Sequence, residues 1–249
     1  MSRKRETAYE AWMKQEGIPI VEGYGVEDVM EIPRGPWART GGKGAFVLLR
    51  GMEGFTSMVM GEIPPGGALN PERHLYEEVI YIVDGIGSTE VWSKEEKKRI
   101  SFEWQTGSIF AVPLNCWHRL VNGSREPVLY LAATSAPIMM DLLHDHDFIF
   151  GCDYVFDQRF DGRHDYFVTG SVRDERRPGS WVWESNFIAD ARSSTVDASE
   201  SKGAGVRITA FDMAGSALVG HIAEWPVGRY HKAHHHQGGA ILLILRSEG

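Results

Sequence analysis

PERHLYEEVIYIVDG, residues 71–85, sets Glu72, His74 and Glu78 at even spacings and then runs straight into Val79-Ile80-Tyr81-Ile82-Val83. The β-branched and aromatic run reads as a buried strand. Side chains of an extended chain alternate between faces, so residues 72 and 74 point the same way, and 78 does too if the strand keeps its register. Two carboxylates and an imidazole are costly to bury, because their charged forms lose their water. A bound cation offsets that cost. Hard carboxylate oxygens beside a borderline imidazole suit a divalent ion such as Fe(II) or Mn(II), and the absence of a Cys ligand disfavours a softer metal.

A fourth ligand has to come from another strand. GSIFAVPLNCWHRLVN, residues 107–122, offers one: a Gly turn leads into an apolar strand, Pro113 ends it, and His118 opens the next strand. The rest of the chain has the same texture. Gly and Pro punctuate it every few residues, and between them lie short β-rich runs at 46–49, 56–60, 79–83, 108–112 and 128–132. Many short strands with close turns predict an all-β sandwich or closed barrel. Helical patterns between strands, which a parallel α/β fold needs, are missing. Residues 6–16 read as a short amphipathic helix or arm, and 137–150 (PIMMDLLHDHDFIF) as the best internal helix. The tract from about 151 to 205 is rich in Gly, Ser and Asp and reads as a linker or a long surface excursion. Strand signals return at 206–211 and 217–223.

The chain also repeats itself. At an offset of 162 residues, Glu62 meets Glu224, Pro64 meets Pro226, Gly66 meets Gly228 and Gly87 meets Gly249. Glu72 meets His234, His74 meets His236, Glu78 meets Ala240, and the apolar runs 79–83 and 241–245 superpose. Polar, turn and apolar positions agreeing together indicate two copies of one β unit, the second incomplete in this chain. The expected layout is an N-terminal helix or arm (1–40), a first unit with the metal site (41–135), a helix and linker (136–205) and a partial second unit (206–249).

These residues carry a resemblance. Gly66, five residues, Glu72-x-His74, three residues, Glu78, six residues and Gly85 resemble the first motif of the cupin superfamily, with a Glu where that motif usually has its first His. Gly107, five residues, Pro113, four residues, His118, three residues and Asn122 are similar to the second motif, with Asn115 where the family usually has Gly. The resemblance covers roughly 45–135, and the repeat extends it to 205–249. It implies an antiparallel jelly-roll barrel with the metal inside, a partial second cupin unit, and bicupin ancestry. It further implies Glu72, His74, Glu78 and His118 as metal ligands, two carboxylates and two imidazoles where three His and one Glu are usual. In the second copy His234 and His236 take the claw positions but Ala240 replaces the third ligand, so it reads as a structural partner with at most a weak metal patch on His231, His234, His235 and His236.

Other candidates have plainer readings. Asp141, His144, His146 and His164 read as a solvated helix face, since no further element converges on them. Cys116 reads as a buried, inert thiol. Trp92, Trp117, Tyr76 and Tyr81 read as core or rim. Arg50, Arg73 and Arg119 are the cations that could hold an anionic substrate. The net charge of −8 argues against nucleic acid or an anionic membrane as the main partner. With two cysteines, no apolar segment after the basic start MSRKR and no long apolar window, the expectation is a soluble cytoplasmic protein. No GxSxG and no phosphate loop occurs.

The leading expectation is therefore a metal-dependent, dioxygenase-like oxidoreductase acting on a small organic acid, aromatic acids included, as in the gentisate dioxygenase group. A Mn-dependent non-redox enzyme similar to ureidoglycine aminohydrolase and a non-catalytic small-molecule-binding cupin are the alternatives. A homodimer is expected, because the incomplete second unit leaves apolar surface to cover.

Overall fold

The computed structural model describes residues 6–94, 99–168, 170–177, 180–194, 205–230, 233–234, 236 and 239–246. The basic start (1–5), residues 195–204 of the serine-rich tract, and His231 and His235 of the histidine patch lie outside them. Helix α1 (Ala8–Glu16) opens the description. Thr7 and Glu10 close a reciprocal capping box at its start, and Gly17, at φ 71°, ends it. Strands follow in the order β1 (Ile20–Gly23), β2 (Gly35–Trp37), β3 (Gly42–Leu49), β4 (Ser57–Ile63), β5 (Glu78–Asp84), β6 (Ile86–Trp92), β7 (Ile100–Gln105), β8 (Ile109–Val112), β9 (Trp117–Val121) and β10 (Val128–Thr134). Helices α2 (Ala136–Leu143) and α3 (His146–Gly151) come next, then β11 (Ser171–Arg177), β12 (Ser180–Glu184), β13 (Phe187–Ile188), β14 (Arg207–Asp212) and β15 (Gly220–Glu224).

The strands form a large sheet in the order β1-β3-β4-β10-β5-β8-β13, with β2 on β3, a small sheet β7-β6-β9 facing it, and a separate sheet β11-β12-β14-β15. The hydrogen bonding does not run continuously round a barrel; the jelly roll is a two-layer sandwich. The chain crosses between the large and the small sheet four times from β5 to β10, and two of the corners turn on glycine. β5 lies in the large sheet and β6 in the small one, with only Gly85 between them, at φ 108°. β7 returns to β8 through Gly107, at φ 94°. A Cβ at Gly85 would also stand 2.6 Å from Val128 Cγ2, so both backbone conformation and space require glycine there.

Both faces of the large sheet are buried, which explains its unbroken apolar runs. Inward, Phe46, Val59, Ile80, Ile82, Phe110, Tyr130 and Ala132 pack with Trp104 and Leu120 of the small sheet and with Tyr9, Trp12 and Met13 of α1. Outward, Ala45, Val47, Met58, Met60, Leu129 and Leu131 lie under Ile32 and, near the end of the chain, Ile241 and Leu243.

The tract expected as a linker differs. It carries β11, β12 and β13, and its Phe160, Tyr166, Phe167 and Ile188 are buried against β5 and β8. Its apolar residues follow neither a 2- nor a 3.6-residue period, so turn residues dominate its appearance in sequence. The internal helix is two helices: His144 leaves the helical conformation at φ 52°, and Asp145 caps α3. In the repeat, β14 and β15 correspond to β3 and β4 and likewise pair antiparallel. The run 241–245, expected to match β5, forms no strand; among the described residues no neighbour offers it a ladder.

The buried Glu77 carboxylate receives both its hydrogen bonds from Arg159, at 2.9 and 3.0 Å, and Arg159 Nε donates to the Ala214 carbonyl. This one side chain fastens the later part of the chain to the start of β5. Arg159→Met should leave Glu77 buried without its cation and lower stability by about 3 kcal/mol, read as a fall in the urea midpoint at unchanged m; an unchanged midpoint would show the pair to be dispensable.

Candidate metal centre

Three of the four expected ligands come together. His74 is buried in the approach to β5, Glu78 is the first residue of β5, and His118 lies in β9 of the facing sheet. One ligand atom of each lies within 4.8 Å of the others. His74 Nε2 is 3.4 Å and His118 Nε2 3.5 Å from Glu78 Oε2. Glu72 stands at the rim. Its backbone is paired with that of His118 in both directions (3.0 and 2.9 Å), and its carboxylate is 4.0 Å from His118 Nε2.

The imidazoles are held in one tautomer. His74 Nδ1 lies 2.9 Å from the Tyr76 carbonyl, and His118 Nδ1 3.2 Å from that of Cys116. A carbonyl only accepts, so each Nδ1 carries a proton and each Nε2 is turned toward Glu78, where a neutral ring offers its lone pair. Tyr76 stacks flat on His74, centroids 3.6 Å apart and planes at 3°, which fixes the ring. The result is a set of acceptors facing one another. His74 Nε2 and Glu78 Oε2 are buried without a hydrogen-bond partner. Orphaned buried acceptors of this kind fit a divalent cation better than they fit each other.

Charge in the centre follows from the same geometry. Burial raises the pKa of Glu72, partly countered by His118 and His74. Burial also disfavours the Glu78 carboxylate, but hydrogen bonds and positive charge from protonated imidazole beside it, that of His118 first, outweigh burial and hold that pKa at about 2. For His118 burial alone would favour the neutral ring; the Glu78 and Glu72 carboxylates reverse this and raise its pKa. Burial, reinforced by both carboxylates, keeps the phenols of Tyr76 and Tyr130 protonated. Burial pushes the Cys116 thiol up to about 12, which leaves it no role as a nucleophile at neutral pH.

Above the cluster is an inner cavity of about 20 Å³, bounded by Glu72, Glu78, Tyr9, Tyr76, Tyr130 and Trp12 among others. It has room for about one water. Helix α1 roofs it. The Tyr9 amide donates to Asp141 Oδ1 (2.8 Å), its hydroxyl donates to Ser57 Oγ (2.6 Å), and Ser57 Oγ lies 3.2 Å from Thr134 Oγ1. Glu16 at the far end of α1 accepts from Arg39 and from Trp37 Nε1. None of Tyr9, Tyr130, Ser57, Thr134 or Arg39 is marked in the sequence by a motif; they reach the site from distant elements.

The remaining candidates go elsewhere. Asn115 adopts φ 58°, the left-handed region that Asn tolerates best after Gly, and its Nδ2 donates to the carbonyls of Cys152 and Tyr154. Arg119 pairs with Glu90, and Arg50 lies over the Tyr24 ring. His234 and His236 are exposed, with Nε2 atoms 3.0 Å apart.

Because His118 has a raised folded-state pKa, its protonation stabilises the metal-free fold below the unfolded pKa and is lost as pH rises through the folded one. Metal-free protein should therefore lose thermal stability as pH climbs above the ordinary imidazole range. NMR of its neutral imidazoles should show Nδ1–H at His74 and His118; an Nε2–H tautomer at either would remove the preset acceptors.

Among the described residues, no helix is long and apolar enough to cross a membrane. Residues 59–134 match the cupin domain family. No curated protein matches the sequence. Similar solved structures include oxalate decarboxylase from Lactobacillus farciminis in complex with formate, at 23% identity over 44% of this chain and 32% of that one, TM-score 0.38. Oxalate decarboxylase from Bacillus subtilis at pH 4.6 is similar at 19% identity over 38% and 25%, TM-score 0.34. Vicilin from Solanum lycopersicum is similar at 19% over 38% and 28%, TM-score 0.33. The chain thus spans a third or less of each of these relatives. Residues 59–134, which hold the paired motifs and the His74–Glu78–His118 cluster, are thus a cupin domain.

Proposed function

We propose that this protein is a metal-dependent cupin enzyme, a dioxygenase-like oxidoreductase acting on a small organic acid, aromatic acids included. The observation that carries this reading is the buried pair His74 Nε2 and Glu78 Oε2, 3.4 Å apart and without hydrogen-bond partners. His74, Glu78 and His118 would hold Fe(II) or Mn(II), with Glu72 as a fourth ligand from the rim. Such an ion supplies a Lewis acid or a one-electron redox centre with open coordination positions.

The protein's own part is to hold and to exclude. The Tyr76 and Cys116 carbonyls keep both Nε2 lone pairs aimed inward. Trp12, Trp37, Val59 and Ala136 wall the inner cavity and keep bulk water out. The neutral phenols of Tyr76 and Tyr130 leave the cluster's charge to its carboxylates.

Elemental analysis of protein purified without chelators should give near one iron or manganese per chain. His118→Ala and Glu78→Gln should lose the metal while circular dichroism stays native, and Glu72→Ala should bind at least about tenfold more weakly. Stoichiometric metal in both His118→Ala and Glu78→Gln would overturn the site. Oxygen uptake with an organic acid separates the oxygenase from a Mn-dependent non-redox enzyme similar to ureidoglycine aminohydrolase. A chain that takes up neither ion is a non-catalytic small-molecule binder.

The proposal includes a homodimer, because Val219, Val227, Tyr230, Leu242 and Ile244 expose apolar side chains. Sedimentation at micromolar concentration should show two chains; a sharp monomer would end that part of the proposal.

A further inference from the structure

Outside the metal cluster lies a second, larger space, an open groove of about 480 Å³. Arg39, Pro71, Glu72, Arg73, Trp117 and Phe150 are among its walls. Among the described residues, Glu72 alone borders both this groove and the inner cavity. The two arginines differ in charge state of their surroundings. Arg39 is matched by Glu16, which it contacts through Nε and Nη2, and it lies over Phe150 at 4.0 Å. Arg73 has no carboxylate partner among the described residues. Its Nη2 donates to the Gly151 carbonyl at 3.0 Å, its guanidinium lies 4.9 Å over the Trp117 ring, and its Nε is buried with no acceptor.

Its Nε–H is sealed from the groove, but the guanidinium charge has no carboxylate match and its terminal N–H groups form the fork that an oxyanion can meet. Carboxylates match that fork with two parallel charge-assisted bonds, which a point-charge ammonium cannot reproduce. Position adds to this. Arg73 sits between Glu72 and His74 in sequence, and alternation turns it toward the groove while His74 turns inward. The inner cavity admits about one water, so an organic anion has to be held on the groove side, its reacting end approaching past Glu72.

We propose that this groove binds a small carboxylate and that Arg73 is the residue that reads it, a proposal resting on the reading of the adjoining centre as that of an enzyme acting on an organic acid. Arg73 thereby determines specificity for the acid group.

The test is calorimetric titration of the full chain with benzoate, both as purified and after chelation. Wild type should bind benzoate in both states. Arg73→Gln should weaken that binding at least tenfold in both. Arg73→Lys, which keeps the charge and loses the fork, should fall between, and it decides the matter if Arg73→Gln does not fold. Arg119→Gln, whose cation is already matched by Glu90 away from the groove, should bind as wild type does. The proposal is overturned if wild type fails to bind benzoate, if Arg73→Gln and Arg73→Lys bind it unchanged, or if chelation alone abolishes binding. Arg73-dependent binding in a chain that takes up no metal would keep the groove and remove the enzyme reading.

Discussion

Everything near the centre of this molecule depends on two backbone carbonyls. Those of Tyr76 and Cys116 take the Nδ1 protons of His74 and His118, and so commit both rings to presenting a lone pair to the Glu78 carboxylate. Three acceptors in a dry interior are unstable company without a proton or a metal between them. The surrounding structure is arranged to keep them there. β5 and β9 come from opposing sheets, the flat stack of Tyr76 fixes one ring, and the corner at Gly85 turns the chain from one layer to the other.

The site was legible in sequence to the extent that it is local. Glu72-x-His74 and Glu78 advertise themselves by alternation, and His118 by its frame of Gly107, Pro113 and Asn122. What could not be read was the ranking within the four. Glu72 and His118 are joined through their backbones, which puts the Glu72 carboxylate 4.0 Å from the His118 ring and at the rim. Spacing gives direction along a strand but not depth. The roof was illegible for a different reason: Tyr9 is 132 residues from the Asp141 that receives its amide, and no local pattern encodes such a pairing.

The fold shows the same division. Short apolar runs bounded by Gly and Pro located β3, β4, β5, β8 and β10, because period and turn chemistry act over a few residues. The tract 151–205 misled because its burial is aperiodic. Phe160, Tyr166, Phe167 and Ile188 reach β5 and β8 from turns and short strands, so their neighbours in sequence look like a linker. The repeat held for β14 and β15 and failed at 241–245. A strand is a shared object, and a similarly apolar run without a partner ladder settles instead with Ile241 and Leu243 against the outer face of the large sheet.

Helix α1 roofs the inner cavity through residues far along the chain, Phe46, Asp141 and Phe150 among them. It adds no strand to either sheet of the sandwich. Displacing it would open the chamber and leave the ladders of the jelly roll whole, so cover and scaffold are separable parts of this molecule.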